Sequence, residues 1–211
     1  MRILVFGATG AVGSRVIHEA VNRGHEVTAV SRTAPSAHTF PSTVHTRQGD
    51  ASDAAAVAEL AQGHDVVISA TRPRAGHEDE LAHTAKGLLD GLRSGGPRLI
   101  VVGGAASLTV PGTGRTLVEQ PGFPAEYRPI ADACNAQFEL IKASTEVDWT
   151  YVSPPDLLEP GPRTGNYRLG TDELVIAADG TSSISMEDFA IALVDEAERP
   201  QHRARRFTLG Y

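Results

Sequence analysis

In the stretch FGATGAVG, glycines stand at positions 7, 10 and 13, directly after the apolar run Ile3, Leu4, Val5, Phe6. A run of that length suits one strand buried on both faces, and the residues from Ala11 to Arg23 carry apolar side chains at helical spacing. The glycines therefore occupy a strand-to-helix turn. Bare backbone there lets N–H groups approach a pyrophosphate, the helix N-terminus adds partial positive charge, and the third glycine lets helix and strand pack closely. A glycine triplet alone is a weak signal, but this placement is the context that supports it. Gly7, Thr9, Gly10, Ala11, Val12 and Gly13 are the candidate dinucleotide contacts.

Which dinucleotide is bound depends on the end of the next strand. An NAD site places Asp or Glu roughly 20 residues on, to accept hydrogen bonds from the ribose hydroxyls. Here that place holds Ser31 and Arg32. A guanidinium pairs a 2′-phosphate through two parallel bonds and stacks on adenine, so NADP(H) is expected over NAD(H), against the bland alternative of a solvated arginine. In GDASD, Asp50 and Ala51 fall near the expected adenine, though Asp50 also suits a helix N-terminus, a role that Ser52 or Asp53 fills better. Ala70 and Thr71 end a later strand near the expected ribose and phosphates, with Arg72 and Arg74 as loop charges.

These positions require alternating strands and helices. Glu26 to Ser31 reads as the second strand, followed by a polar loop containing Pro35 and Pro41. Val44 to Gln48 is a weak third strand, Ala54 to Gln62 a short helix and DVVISAT a fourth strand. Leu81, Ala85, Leu88, Leu89 and Leu92 form one helical stripe, PRLIVVGG is a fifth strand, Pro129 to Ser144 a helix and WTYVSP a sixth strand. Ser185 can cap the last helix, with Asp188 three residues on as a variant capping box, and RRFTLGY closes as a strand. This order predicts a doubly wound α/β fold of Rossmann type: a parallel sheet in a single domain over 1–211, with a small C-terminal substrate-side portion. Two irregular segments, about 105–128 and 154–180, follow strand C-terminal ends, where open parallel sheets bind ligands. The second is expected to include a short strand at Glu173 to Ala177.

Nineteen Lys and Arg against 26 Asp and Glu leave a net charge of −7, which disfavours nucleic acid as a partner. Cys134 stands alone, ruling out an internal disulfide or multi-cysteine metal site and fitting a reducing cytoplasm. The first apolar run is too short for a secretory signal, and no stretch approaches the roughly 20 apolar residues that span a bilayer. The eight histidines show no metal-ligand spacing. The partner expected is a small-molecule substrate, bound by a monomer or homodimer.

FGATGAVG, GDASD, VVGGAASL, WTYVSPPDLLEPGPRTGNYR, ISMEDFAIALVDEAE and RRFTLGY together resemble, in order and over nearly the full length, the atypical short-chain dehydrogenase/reductase family of NADH-flavin reductases. The chain is more distantly similar to biliverdin-IXβ/flavin reductase and to the nitrogen-metabolite-repression regulators. The usual Tyr-x-x-x-Lys pair is missing: Tyr127 is followed four positions later by Ala131. Flavin reduction asks less, because stacking two rings at about 3–3.5 Å supplies most of the acceleration. The resemblance thus implies a reductase of flat conjugated acceptors such as FMN or riboflavin, with a non-catalytic NADP sensor and an isomerase or lyase as alternatives. It places Ser107 near the nicotinamide as a hydrogen-bond donor, with a turn serine as the equal alternative. Asp156 stands where biliverdin-type enzymes carry histidine, and an exposed aspartate near its reference pKa of about 4 is a poor proton donor at neutral pH. Gly103 and Pro154 are expected beside the cofactor, and Pro154 or Pro155 could follow a cis bond. Phe123, Tyr127 and Leu158 are candidate apolar walls for an aromatic ring, each with ordinary packing as the equal alternative.

Overall fold

Side chains alternate sides along a strand, so a strand apolar at every position must be covered on both faces. β1 (Arg2–Phe6) does this: Ile3 and Val5 join one core cluster, Leu4 and Phe6 the other, and all four are buried. In the computed structural model, which describes residues 1–33, 39–93 and 95–211, the chain continues through α1 (Ala11–Asn22), β2 (Glu26–Ser31) and β3 (His45–Gln48). Pro35 of the polar loop lies outside the described residues. Next come α2 (Ala54–Ala61), β4 (Val66–Ser69), α3 (Glu80–Gly91), β5 (Arg98–Val102), α4 (Arg128–Lys142) and β6 (Trp149–Ser153). The chain finishes with β7 (Leu157–Glu159), β8 (Arg168–Gly170), β9 (Ser183–Ser185), α5 (Met186–Glu198) and β10 (Arg205–Gly210).

The main sheet runs β3-β2-β1-β4-β5-β6-β10-β8 and is parallel except for β8, which pairs antiparallel with β10. α1 and α5 cover one face, while α2, α3 and α4 cover the other. This is the expected Rossmann-type α/β architecture. Strand order reverses between β1 and β4, so the crevice outside their C-terminal ends is the place where such sheets accept a ligand.

The C-terminal third departs from expectation. Glu173 to Ala177 forms no strand: Glu173 makes an isolated bridge to Thr109, and the next residues belong to no ladder. Three short strands replace it, with β7 and β9 pairing parallel as a separate two-stranded sheet. Strands of three residues are too short to print a period on the sequence. The first irregular segment contains two short 3-10 turns, Leu117–Glu119 and Ala125–Tyr127. Ser185 caps α5 by accepting from Asp188 N at 3.0 Å, but the reciprocal bond of a capping box is made by the Tyr211 hydroxyl, which accepts from Ser185 N at 3.1 Å. Among the described residues no helix is long and apolar enough to cross a membrane.

Candidate functional site: the glycine turn and the strand ends

Gly7 has φ +75°, a left-handed conformation that penalises any Cβ, and a Cβ there would lie 2.4 Å from the Ala70 carbonyl oxygen. A Cβ on Gly13 would lie 2.2 Å from the Gly7 carbonyl oxygen. The turn is closed by Gly10 N donating to Gly7 O at 3.0 Å, while Ala70 N donates to Phe6 O at 3.0 Å and holds the end of β4 against that of β1. Glycine is thus dictated where backbone meets backbone at the sheet's switch point.

α1 begins at Gly10 with no side-chain cap and no acidic residue in its first turn. The amides of Ala11, Val12 and Gly13 consequently have no acceptor within the helix. Thr9, Gly10 and Ala11 are exposed, and Val12 is half-buried. α2 and α5 differ, since Asp53 and Ser185 cap them. An uncapped, cation-like helix end beside glycines fits a dinucleotide diphosphate, and its backbone donors suit that chemistry.

At the end of β2, Ser31 is buried and its hydroxyl donates to Thr33 O at 2.6 Å. Arg32 is about half exposed, and its Nη1 sits 2.9 Å from an oxygen of Glu80. Sequence reading found no carboxylate at this point. The fold supplies one from the start of α3, so Arg32 is already ion-paired with Glu80. Asp50 Oδ1 accepts from Ser52 N and Oγ at 2.9 and 2.8 Å; despite partial desolvation, these bonds and the Arg32 charge hold its carboxyl below the usual range. Ala51 is buried in the core under α3, and Ala70 is nearly buried. The Thr71 hydroxyl lies 3.2 Å from that of Ser69.

On the acceptor side, Gly103 has a packing reason of its own: a Cβ would fall 2.0 Å from the Tyr151 ring. Tyr151 is buried, its hydroxyl donates toward Cys134 O and Gln137 Oε1 at 3.0 and 3.1 Å, and burial drives its pKa far up. It is no acid or base. Burial likewise pushes the Cys134 thiol up to about 11, the behaviour of an inert filler. Asp156 is exposed on its loop, and desolvation by the surrounding chain raises its carboxyl above the usual carboxylate range. The described chain has no cis peptide bond, so Pro154 and Pro155 follow trans bonds. Phe123 is half-buried with the Arg128 guanidinium 5.7 Å from its ring centre, Tyr127 is 56% exposed, and Leu158 packs against the α1/α5 core from β7.

Ser107 is half-buried just beyond β5, and its hydroxyl oxygen lies 2.8 Å from Nη1 of Arg206. Arg206 lies in RRFTLGY, a segment read from the sequence only as the closing strand, and nothing in that strand marks it as a partner of Ser107. No group of three or more metal-ligating side chains is found among the described residues.

Comparison with known proteins agrees with this geometry. A family model described as NAD(P)H-binding matches residues 7–200. The chain is similar to the structure of an exported protein, provisionally so named, from Burkholderia pseudomallei (39% identity, all of both chains, TM-score 0.90). It is also similar to a provisionally named epimerase from Bacteroides thetaiotaomicron (37%, 100% of this chain and 96% of that one, TM-score 0.90). A protein of Streptococcus pneumoniae provisionally named an NADH-flavin reductase is 32% identical, with 100% of this chain and 99% of that one covered and a TM-score of 0.89. With a glycine cradle that excludes Cβ atoms and a family match across nearly its whole length, the chain belongs to the NAD(P)H-binding family of Rossmann-fold proteins.

Proposed function

We propose that this chain is an NADPH-dependent reductase that passes hydride to a flat conjugated acceptor: a flavin such as FMN or riboflavin, a quinone or a tetrapyrrole. The observation that carries the reading is a site with a built diphosphate cradle and no usable tyrosine acid. The cofactor, when bound, supplies the hydride at its nicotinamide ring. The α1 amides would hold the diphosphate, and the Arg32 guanidinium would pair with the 2′-phosphate. Ser107 would donate a hydrogen bond to the acceptor, Gly103 and Pro154 would flank the ring, and Phe123 and Tyr127 would form its apolar edge.

The alcohol–ketone chemistry of ordinary short-chain dehydrogenases has no residue to run it, because Tyr151 is buried and no tyrosine has a lysine four residues on. Hydride transfer between stacked rings needs positioning above all. The Streptococcus neighbour's name supports this reading. The Bacteroides neighbour's name, with the raised Asp156, favours an isomerase as the second one. The lone Cys134 supports a cytoplasmic setting.

Absorbance at 340 nm tests the proposal: NADPH mixed with the protein and a panel of flavins and quinones should be consumed above the spontaneous rate. NADPH that binds without being consumed overturns it in favour of a sensor or isomerase. Arg32→Asp should reverse the NADPH-over-NADH preference, and unchanged affinities for both would remove Arg32 from the site.

A further inference from the structure

The geometry points to Arg206 as the positioning residue that fixes Ser107 as a hydrogen-bond donor to a carbonyl oxygen of the acceptor, an inference that rests on the reductase reading and narrows its substrate class. Arg206 lies on β10 opposite Tyr151 of β6, and its side chain is only 8% exposed. Three contacts fix its fork. The guanidinium sits 4.5 Å from the centre of the Phe138 ring, Nε and Nη2 reach Asp172 Oδ1 at 2.9 and 2.6 Å, and Nη1 reaches Ser107 Oγ at 2.8 Å. Ser107 comes from the first irregular segment and Asp172 from the second, so one buried cation ties the two together.

A serine hydroxyl can donate or accept, but a guanidinium only donates. Against Arg206 the serine oxygen must accept, and its proton is directed elsewhere. A cationic donor on that oxygen polarises the O–H and strengthens the bond it gives. The acceptor that suits such a hydroxyl presents a lone pair beside its reducible ring, as the carbonyl groups of flavins and quinones do. Asp172 is 70% exposed and offsets the charge of Arg206 without competing for Ser107.

Riboflavin is the probe of choice because it carries the ring and carbonyls without net charge, so direct attraction to Arg206 does not contribute. Its affinity is read by flavin fluorescence quenching on protein saturated with NADP⁺, for the wild type, Ser107→Ala, Arg206→Gln and the double variant. Each single change should weaken riboflavin about tenfold, and the double variant should bind no worse than Ser107→Ala, since one hydrogen bond is lost in every case. NADP⁺ affinity should stay level throughout. Arg206→Met, which keeps the apolar stem without a donor, reads the same coupling should Arg206→Gln fail to fold. Additive losses, full-strength binding in either arginine variant, or no riboflavin binding by the wild type overturns the inference. Riboflavin that binds and shows the coupling while NADPH is never consumed upholds the positioning role and overturns the reductase reading instead.

Discussion

Two long segments leave the sheet at the C-terminal ends of the neighbouring strands β5 and β6, and they are held by opposite means. Beyond its buried start at Ala106 and Leu108, the first bonds mainly to itself. The Thr113 hydroxyl donates to Val110 O at 2.9 Å, Glu119 accepts from the amide and hydroxyl of Thr116 at 2.8 Å each, and the Gln120 amide reaches Thr113, Arg115 and Thr116. Most of these groups face solvent. The second segment is fastened by carboxylates on helices far away in sequence. Asp188, fully buried, accepts from Thr164 N and Gly165 N at 2.7 and 2.9 Å and from the Tyr211 hydroxyl at 2.9 Å. Glu19 takes both arms of Arg163 at 2.8 and 2.9 Å, and Glu187 receives Gly161 N and Arg15 at 2.8 and 2.7 Å. Arg15 also donates to Ala11 O at the mouth of α1, which joins this segment to the glycine turn.

Buried long-range anchors make a strut, whereas solvent-facing local bonds make a flap that opens at low cost. The second segment is thus the firmly held one and the first the adaptable one. They meet where Thr109 N donates to Asp172 O at 2.8 Å and Leu174 N to Thr109 O at 2.9 Å, and again at Arg206.

The most severe way to break this contrast is Asp188→Ala, which removes the buried acceptor of the Thr164 and Gly165 amides and of the Thr164 and Tyr211 hydroxyls. It should cost about 3 kcal/mol in urea unfolding, and a loss no larger than that of a surface change would dissolve the distinction. Acid acts on the same anchors. At Glu19 the Arg163 bond, opposed by desolvation and aided by Arg23, holds the carboxyl below its usual range; at Asp188 burial is outweighed by the bonds from Gly165, Thr164 and Tyr211. Carboxylates lowered in the folded state contribute stability that is complete above the unfolded value of about 4 and is lost as pH falls through the folded value. Limited proteolysis at neutral pH should cut 110–120 and spare 160–167, and cutting at 160–167 should rise as pH falls through the folded values; early cutting at 160–167 at neutral pH would contradict the assignment of strut and flap. Arg163→Ala removes a partner that is 57% exposed while Arg23 still faces Glu19, so up to about 1 kcal/mol is expected by thermal melting. Thr116→Ala in the flap should change stability by less than about 0.5 kcal/mol and raise KM for the acceptor more than it alters kcat. A melting loss equal to that of Arg163→Ala would show that the flap is no looser than the strut.

Much of this molecule is written in local pattern. The β1 run, the stripe of α3 from Leu81 to Leu92 and the glycine turn each declare themselves within a dozen residues, because periodicity and backbone crowding are properties of neighbours in the chain. The cradle was therefore legible, down to Gly7 and Gly13. Glu80 beside Arg32 and Arg206 on Ser107 were not, since 48 and 99 residues separate those partners. Asp188 was visible as a helix-start residue but not as the anchor of a distant loop.

The sequence by itself determined the order of strands and helices through β6 with the closing α5 and β10, the place of the glycine turn and the absence of a tyrosine–lysine pair, all of which depend on residue type and spacing along one chain. Tertiary structure alone decided which carboxylate faces Arg32, which cation holds Ser107 and which of the two irregular segments is firmly held. Charge pairing and burial are set by what the fold brings within a few ångströms, and neighbours in sequence carry no record of that.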